Sequence, residues 1–129
     1  MDGVRVQRLD LVFEGERGSN FGLRTRLRSD FLVVQRTSGT ISGSHYHTGT
    51  IPEKNPEVII LVYGKAKISW KNPRSNEVHT KIIERPSKIE IQPMIWHEIE
   101  ALSDITFLEE GWLKPKEYER DTRREPQLK

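Results

Sequence analysis

The stretch Gly39-Thr-Ile-Ser-Gly-Ser-His45-Tyr-His47, with Glu57-Val-Ile-Ile-Leu-Val-Tyr-Gly64 beyond it, decides how this chain is read. Successive side chains on a β-strand point to opposite faces, so His45 and His47 share one face and Tyr46 takes the other. Two imidazoles on one face can approach one ion. Taken alone, the pair is weak evidence, since histidines also fall together by chance or lie on a solvated face. The apolar, β-branched run from Glu57 to Val62 reads as a buried strand with a carboxylate at its start. Further on, Gln92-Pro-Met-Ile-Trp-His97 places a third imidazole at the beginning of another strand, Trp96 to Ala101. The chain has no cysteine, which excludes disulfides and thiolate chemistry and leaves His and carboxylate as the ligand types.

Working outward, Val4 to Phe13 reads as one strand or two strand pieces, Glu14 to Asn20 as a turn, and Phe21 to Leu27 and Asp30 to Thr37 as strands. The segment Thr48 to Pro56, punctuated by Gly49, Pro52, Asn55 and Pro56, reads as an irregular loop. After Glu57 to Tyr63 come short strands at Lys65 to Trp70, Val78 to Ile83, Lys88 to Ile91, Trp96 to Ala101 and Ile105 to Leu108. No stretch before residue 112 carries a helical period. Many short strands with frequent turns predict an all-β antiparallel sandwich or barrel. Residues 1–112 make one domain. Residues 113–129 mix charges of both signs around Pro115 and Pro126 and offer almost nothing to bury, which reads as a frayed tail or as a short helix around Lys116 to Arg124 packed on a neighbouring subunit.

The 129 residues suffice for one ordinary domain. Lys and Arg number 21 against 19 Asp and Glu, a net charge of +2, without the concentrated basic face of a nucleic-acid binder. Arg24, Arg26 and Arg28 are the one candidate patch; a solvated strand face or an anion-binding rim explains them more simply. The N-terminus lacks the basic start and apolar segment of a signal peptide, and no apolar run is long enough to span a bilayer, so the cytoplasm is the expected location. A charged content of 31% without cysteine fits a thermophile's composition. His79 is expected at the surface, while Trp70, Trp96 and Trp112 suit a core, a cavity wall or an interface.

The spacing G-x5-H-x-H … E-x6-G from Gly39 to Gly64, followed by Pro93 and His97, resembles the two motifs of the cupin superfamily. Two features depart from that pattern. The loop between His47 and Glu57 is longer than the family's, and Met94 stands where glycine is usual. Because Glu57 keeps its distance to Gly64, it is taken as the ligand, with Glu53 as its rival. The resemblance implies a cupin-type double-stranded β-helix, a jelly-roll barrel with a charged C-terminal tail. It implies too that His45, His47, Glu57 and His97 surround one divalent transition metal ion per chain: Zn, Fe, Mn, Ni or Co by ligand type.

More finely, Gly43 to His47, Glu57 to Ala66 and Ile91 to Glu98 look like the cupin domains of nucleotide-sugar enzymes, especially the C-terminal domain of bifunctional capsular-polysaccharide epimerase/reductases. Arg17-Gly18-Ser19 resembles a segment near the start of deoxysugar epimerases and ketoisomerases. What this implies is a metal-dependent isomerase or epimerase of a sugar or nucleotide-sugar keto compound, with a carbohydrate-like small molecule as ligand. An Fe-dependent dioxygenase and a non-catalytic small-molecule-binding module are the superfamily's other readings. No catalytic base is singled out: Tyr46 should point away from the site, and Glu53 or a metal-bound hydroxide are the candidates. A homodimer is expected, because the edge strands of an open barrel need covering and Val4 to Phe13 is the natural strand to donate.

Overall fold

The computed structural model describes residues 3–24, 30–111 and 114–124. Its strands are β1 (Val4–Arg8), β2 (Asp10–Gly15), β3 (Gly18–Gly22), β4 (Phe31–Arg36), β5 (Ile41–His47), β6 (Glu57–Tyr63), β7 (Ala66–Lys71), β8 (Val78–Ile83), β9 (Ser87–Ile91), β10 (Trp96–Ala101), β11 (Ile105–Glu110) and β12 (Thr122–Arg124). One 3-10 turn, Pro52–Lys54, and one helix, α1 (Pro115–Asp121), interrupt them. The strands form two five-stranded antiparallel sheets, in the orders β1-β9-β6-β11-β4 and β12-β5-β10-β7-β8, with β2 and β3 as a separate hairpin. This is the all-β, cupin-type architecture that the motifs imply.

Alternation builds the core. In β7 and β9 every second residue is buried, so Ile89 and Ile91 of one sheet meet Ala66, Ile68 and Trp70 of the other in a single apolar cluster with Ile59, Leu61, Ile99 and Phe107. Strand β6 is buried at every position from Glu57 to Leu61, as its unbroken apolar run requires. Cross-strand partners share a face, and the register sets His97 of β10 opposite His45 of β5 on one side and Trp70 of β7 on the other.

A bulge sets that register. Gly43 opposes Glu98 while His45 opposes His97, leaving Ser44 as the extra residue. Gly43 and Ser44 both take positive φ, 95° and 58°. A side chain at Gly43 would meet the His97 carbonyl oxygen at 3.0 Å, so only glycine fits. At the other departure from the family pattern, Met94 adopts φ 69°, the left-handed conformation usually left to glycine. Its N–H donates to the His47 carbonyl at 2.7 Å, which ties the His97 turn to the strand bearing the other two histidines.

Several expectations change. Val4 to Phe13 breaks at Leu9: β1 pairs with β9 of its own chain, and β2 turns away into the hairpin. Gly18 to Asn20 lies in β3, because Glu16-Arg17 alone makes the turn. Leu11, Val12 and Phe13 are exposed there. His79 is half-buried and stacks on Trp70 with ring centroids 5.5 Å apart, although alternation read it as a surface residue. The segment after residue 112 does have something to bury: β12 pairs with β5, and Asp121 and Thr122 are buried. Trp112, Arg26 and Arg28 lie outside the described residues, as does the end of the strand expected at Phe21 to Leu27. No described helix is long and apolar enough to cross a membrane.

Candidate metal centre

His45, His47, Glu57 and His97 are all buried, and one potential ligand atom from each lies within 4.8 Å of the others. Their elements explain the convergence. β5 presents His45 and His47 two residues apart on its inward face, the β5–β10 register brings His97 beside them, and β6 begins from the facing sheet with Glu57. The imidazole centroids of His45 lie 4.8 Å from those of both His47 and His97. Glu53 is elsewhere: its side chain packs on Gly111, outside the cluster, so the carboxylate that joins the histidines is Glu57.

Glu57 Oε1 lies 3.3 Å from His47 Nε2 and 3.1 Å from His97 Nε2. Despite these distances, it has no aligned hydrogen-bond donor among the described residues. Side chains aimed at a common point, and not at one another, produce that geometry. Two of the outer nitrogens are engaged: His97 Nδ1 lies 3.0 Å from the Ile95 carbonyl oxygen, and His47 Nδ1 lies 3.0 Å from Asp121 Oδ2. Metal-ligating histidines are commonly held this way, through the ring nitrogen that faces away from the ion.

Two residues of this arrangement escape sequence reading. Lys54 sits in the long loop that was expected to be merely irregular, yet it is only 2% exposed. Its Nζ lies 3.4 Å from Glu57 Oε2 and 3.5 Å from Glu109 Oε2, so one oxygen of Glu57 is held by the lysine and the other turns to the histidines. Asp121 is fully buried. Its Oδ1 accepts from the Ile51 N–H at 3.2 Å and from Thr48 Oγ1 at 3.1 Å. Lys and Asp are ordinarily solvent-facing, and no local pattern marks either as buried.

The electrostatics suit a cation. Burial, reinforced by His97, pushes the His45 pKa down to about 3, which keeps that ring neutral as a ligand must be. Burial alone would raise Glu57, but its contacts with His47 and His97, together with the Lys54 charge, hold it well below the usual carboxylate range. Burial likewise opposes the charge on His97 and on Lys54. The Glu57 carboxylate outweighs it in the first, and Glu57 with Glu109 in the second, so both are raised. Lys54 offers one positive charge against the two carboxylates of Glu57 and Glu109, and the three imidazoles with Glu57 are nitrogen and oxygen donors of the kind that transition ions take. A divalent transition ion is the species that this donor set fits.

No protein-family model matches the chain, and no curated protein sequence matches it. Its fold is shared with solved structures. A 3,4-ketoisomerase from Helicobacter canadensis superposes with a TM-score of 0.74 at 17% identity, over 97% of this chain and 92% of that one. The sugar 3,4-ketoisomerase QdtA from Thermoanaerobacterium thermosaccharolyticum, in complex with TDP, gives 0.72 at 16%, over 95% and 88%. The capsular polysaccharide assembling protein CapF from Staphylococcus aureus gives 0.61 at 20%, over 75% of this chain and 26% of that one. At such identities the likeness establishes the fold.

Proposed function

We propose that this chain binds one divalent transition metal ion through His45, His47, Glu57 and His97 and isomerises or epimerises a sugar or nucleotide-sugar keto compound. The observation that carries the reading is the convergence of four buried donors, with the outer atoms of His47, His97 and Glu57 already held by Asp121, the Ile95 carbonyl and Lys54. Bound there, the ion supplies Lewis-acid polarisation of a carbonyl oxygen, which eases loss of a proton from the neighbouring carbon. The three buried histidines converge on the site, and Lys54 holds one oxygen of Glu57 while the other turns to them. Further support for the substrate class comes from the fold neighbours: QdtA has also been solved as a variant with TDP-4-keto-6-deoxyglucose, and ChmJ from Streptomyces bikiniensis is a 3'-monoepimerase solved with dTDP.

Elemental analysis of the purified protein should find close to one transition-metal ion per chain. A panel of 4-keto nucleotide sugars and simple keto sugars, incubated in deuterated water and followed by proton NMR, should show metal-dependent deuterium uptake beside the carbonyl that disappears in His97→Ala. Oxygen consumption without deuterium uptake would replace this reading by a dioxygenase. Tight binding without either reaction would replace it by a binding module.

A further inference from the structure

We propose that Asp121, delivered by the C-terminal segment, is a positioning residue that sets the tautomer of His47 and so decides whether its Nε2 can receive a metal ion. The proposal rests on the metal-binding reading above for its consequence, but its structural half stands on separate geometry. Asp121 is the last residue of α1 and is fully enclosed. Its main-chain oxygen accepts from the Thr48 N–H at 2.8 Å, which pins the segment to the end of β5.

The carboxylate has two distinct sides. Oδ1 accepts from the Ile51 N–H and the Thr48 hydroxyl, while Oδ2 faces His47 Nδ1. A carboxylate only accepts hydrogen bonds. A proton therefore sits on His47 Nδ1, and Nε2, which points at Glu57 across the cluster, is the nitrogen left to meet an ion. Thr122 Oγ1 lies 3.2 Å from the same Nδ1. A hydroxyl donates or accepts as required, so it follows the tautomer and does not choose it.

This assignment inverts the usual ranking of substitutions. In Asp121→Asn the backbone N–H of Ile51 cannot reverse its polarity, so the amide oxygen takes the Oδ1 position and the NH2 group faces His47. Nδ1 must then accept, the proton moves to Nε2, and the ligand atom is blocked. Asp121→Ala removes the constraint and leaves the ring free to choose either tautomer. A residue that merely packed the segment in place would tolerate the isosteric Asn and suffer from Ala.

The test uses the full chain with Zn²⁺ alone as probe, titrated against a competing chelator at pH 8, together with long-range nitrogen NMR of the His47 ring in metal-free protein. The wild type should show the proton on Nδ1 and Asp121→Asn the proton on Nε2. Loss of an outer-shell partner costs about 10–100-fold in metal affinity; Asp121→Asn should fall at the upper end of that range and Asp121→Ala at the lower. Wild-type affinity in Asp121→Asn, or Asp121→Ala binding more weakly than Asp121→Asn, would overturn the proposal. If the wild type binds no Zn²⁺, the metal reading fails, and the two NMR tautomers still decide what Asp121 does. Should Asp121→Asn not fold, the wild-type spectrum suffices, since an Nδ1 without a proton there would refute the assignment.

Discussion

Along three strands the inward positions change character within a single two-residue step. β10 runs His97, Ile99, Ala101; β6 runs Glu57, Ile59, Leu61; β7, read backwards, runs Trp70, Ile68, Ala66. One end of the barrel is thus filled by apolar side chains that close around a void of about 10 Å³. The other, equally buried, holds three imidazoles, Glu57, Lys54 and Asp121. Burying aliphatic surface stabilises a fold with no requirement on direction. Buried polar groups stabilise only when each atom meets a partner in the right place, and here that depends on the His47–Glu57 loop and the C-terminal segment. The two ends divide the labour: the apolar end holds the sheets together, and the polar end is a site that the sheets carry.

The division is broken most sharply by the double substitution His45→Ala/His97→Ala. Metal content by elemental analysis should fall from about one ion per chain to none, while the urea midpoint of chelator-treated protein should stay close to the wild type's. A collapse of the metal-free fold would show that the polar end is structural. The complementary change, Ile68→Ala at the apolar end, should cost about 2–5 kcal/mol in urea unfolding, because it enlarges that void in a buried apolar region, with metal stoichiometry unchanged. Loss of metal there would mean that the two ends are not separable.

A smaller effect is expected from acid. In metal-free protein the His45 pKa lies near 3 in the fold against 6.5 as the ordinary value, so between those values the unfolded chain binds more protons. Stability should therefore decline as pH falls from about 6.5 toward 3. Glu57, whose pKa is lowered, adds to this decline as pH drops through its folded value. His97 is shifted upward; its contribution is complete below the ordinary histidine value and is lost only as pH rises through its folded one. Urea midpoints across this range, compared with those of His45→Phe, should show a shallower acid slope in the variant. Equal slopes would remove His45 as the cause. The smallest change belongs to Glu53→Ala, which should leave metal affinity unaltered and stability within about 0.5 kcal/mol. A larger loss of metal than in Glu57→Ala would show that the carboxylates had been exchanged.

Much of this was readable from short-range pattern. The two-residue period places His45 and His47 on one face, the apolar run after Glu57 marks a buried strand, and the distance from Glu57 to Gly64 chose the ligand over Glu53. Strands β4, β6, β7, β8, β9, β10 and β11 fall close to where alternation and turns put them. Reading failed where a residue's surroundings come from far along the chain. The break at Leu9 depends on β9 offering an edge to Val4–Arg8. The burial of His79 depends on Trp70 lying opposite it.

The local sequence therefore settled the strands, the faces they present and the residue types able to hold an ion, because these follow from backbone periodicity and side-chain chemistry within a few residues. The folded chain alone settled which charges are enclosed. Lys54 lies inside because Glu57 and Glu109 meet it there, and Asp121 because His47, 74 residues away, turns its Nδ1 toward it. An isolated Lys or Asp gains more from water than from an apolar interior. Its burial becomes tolerable only when tertiary contacts supply the opposite charge and the hydrogen bonds that water would have given.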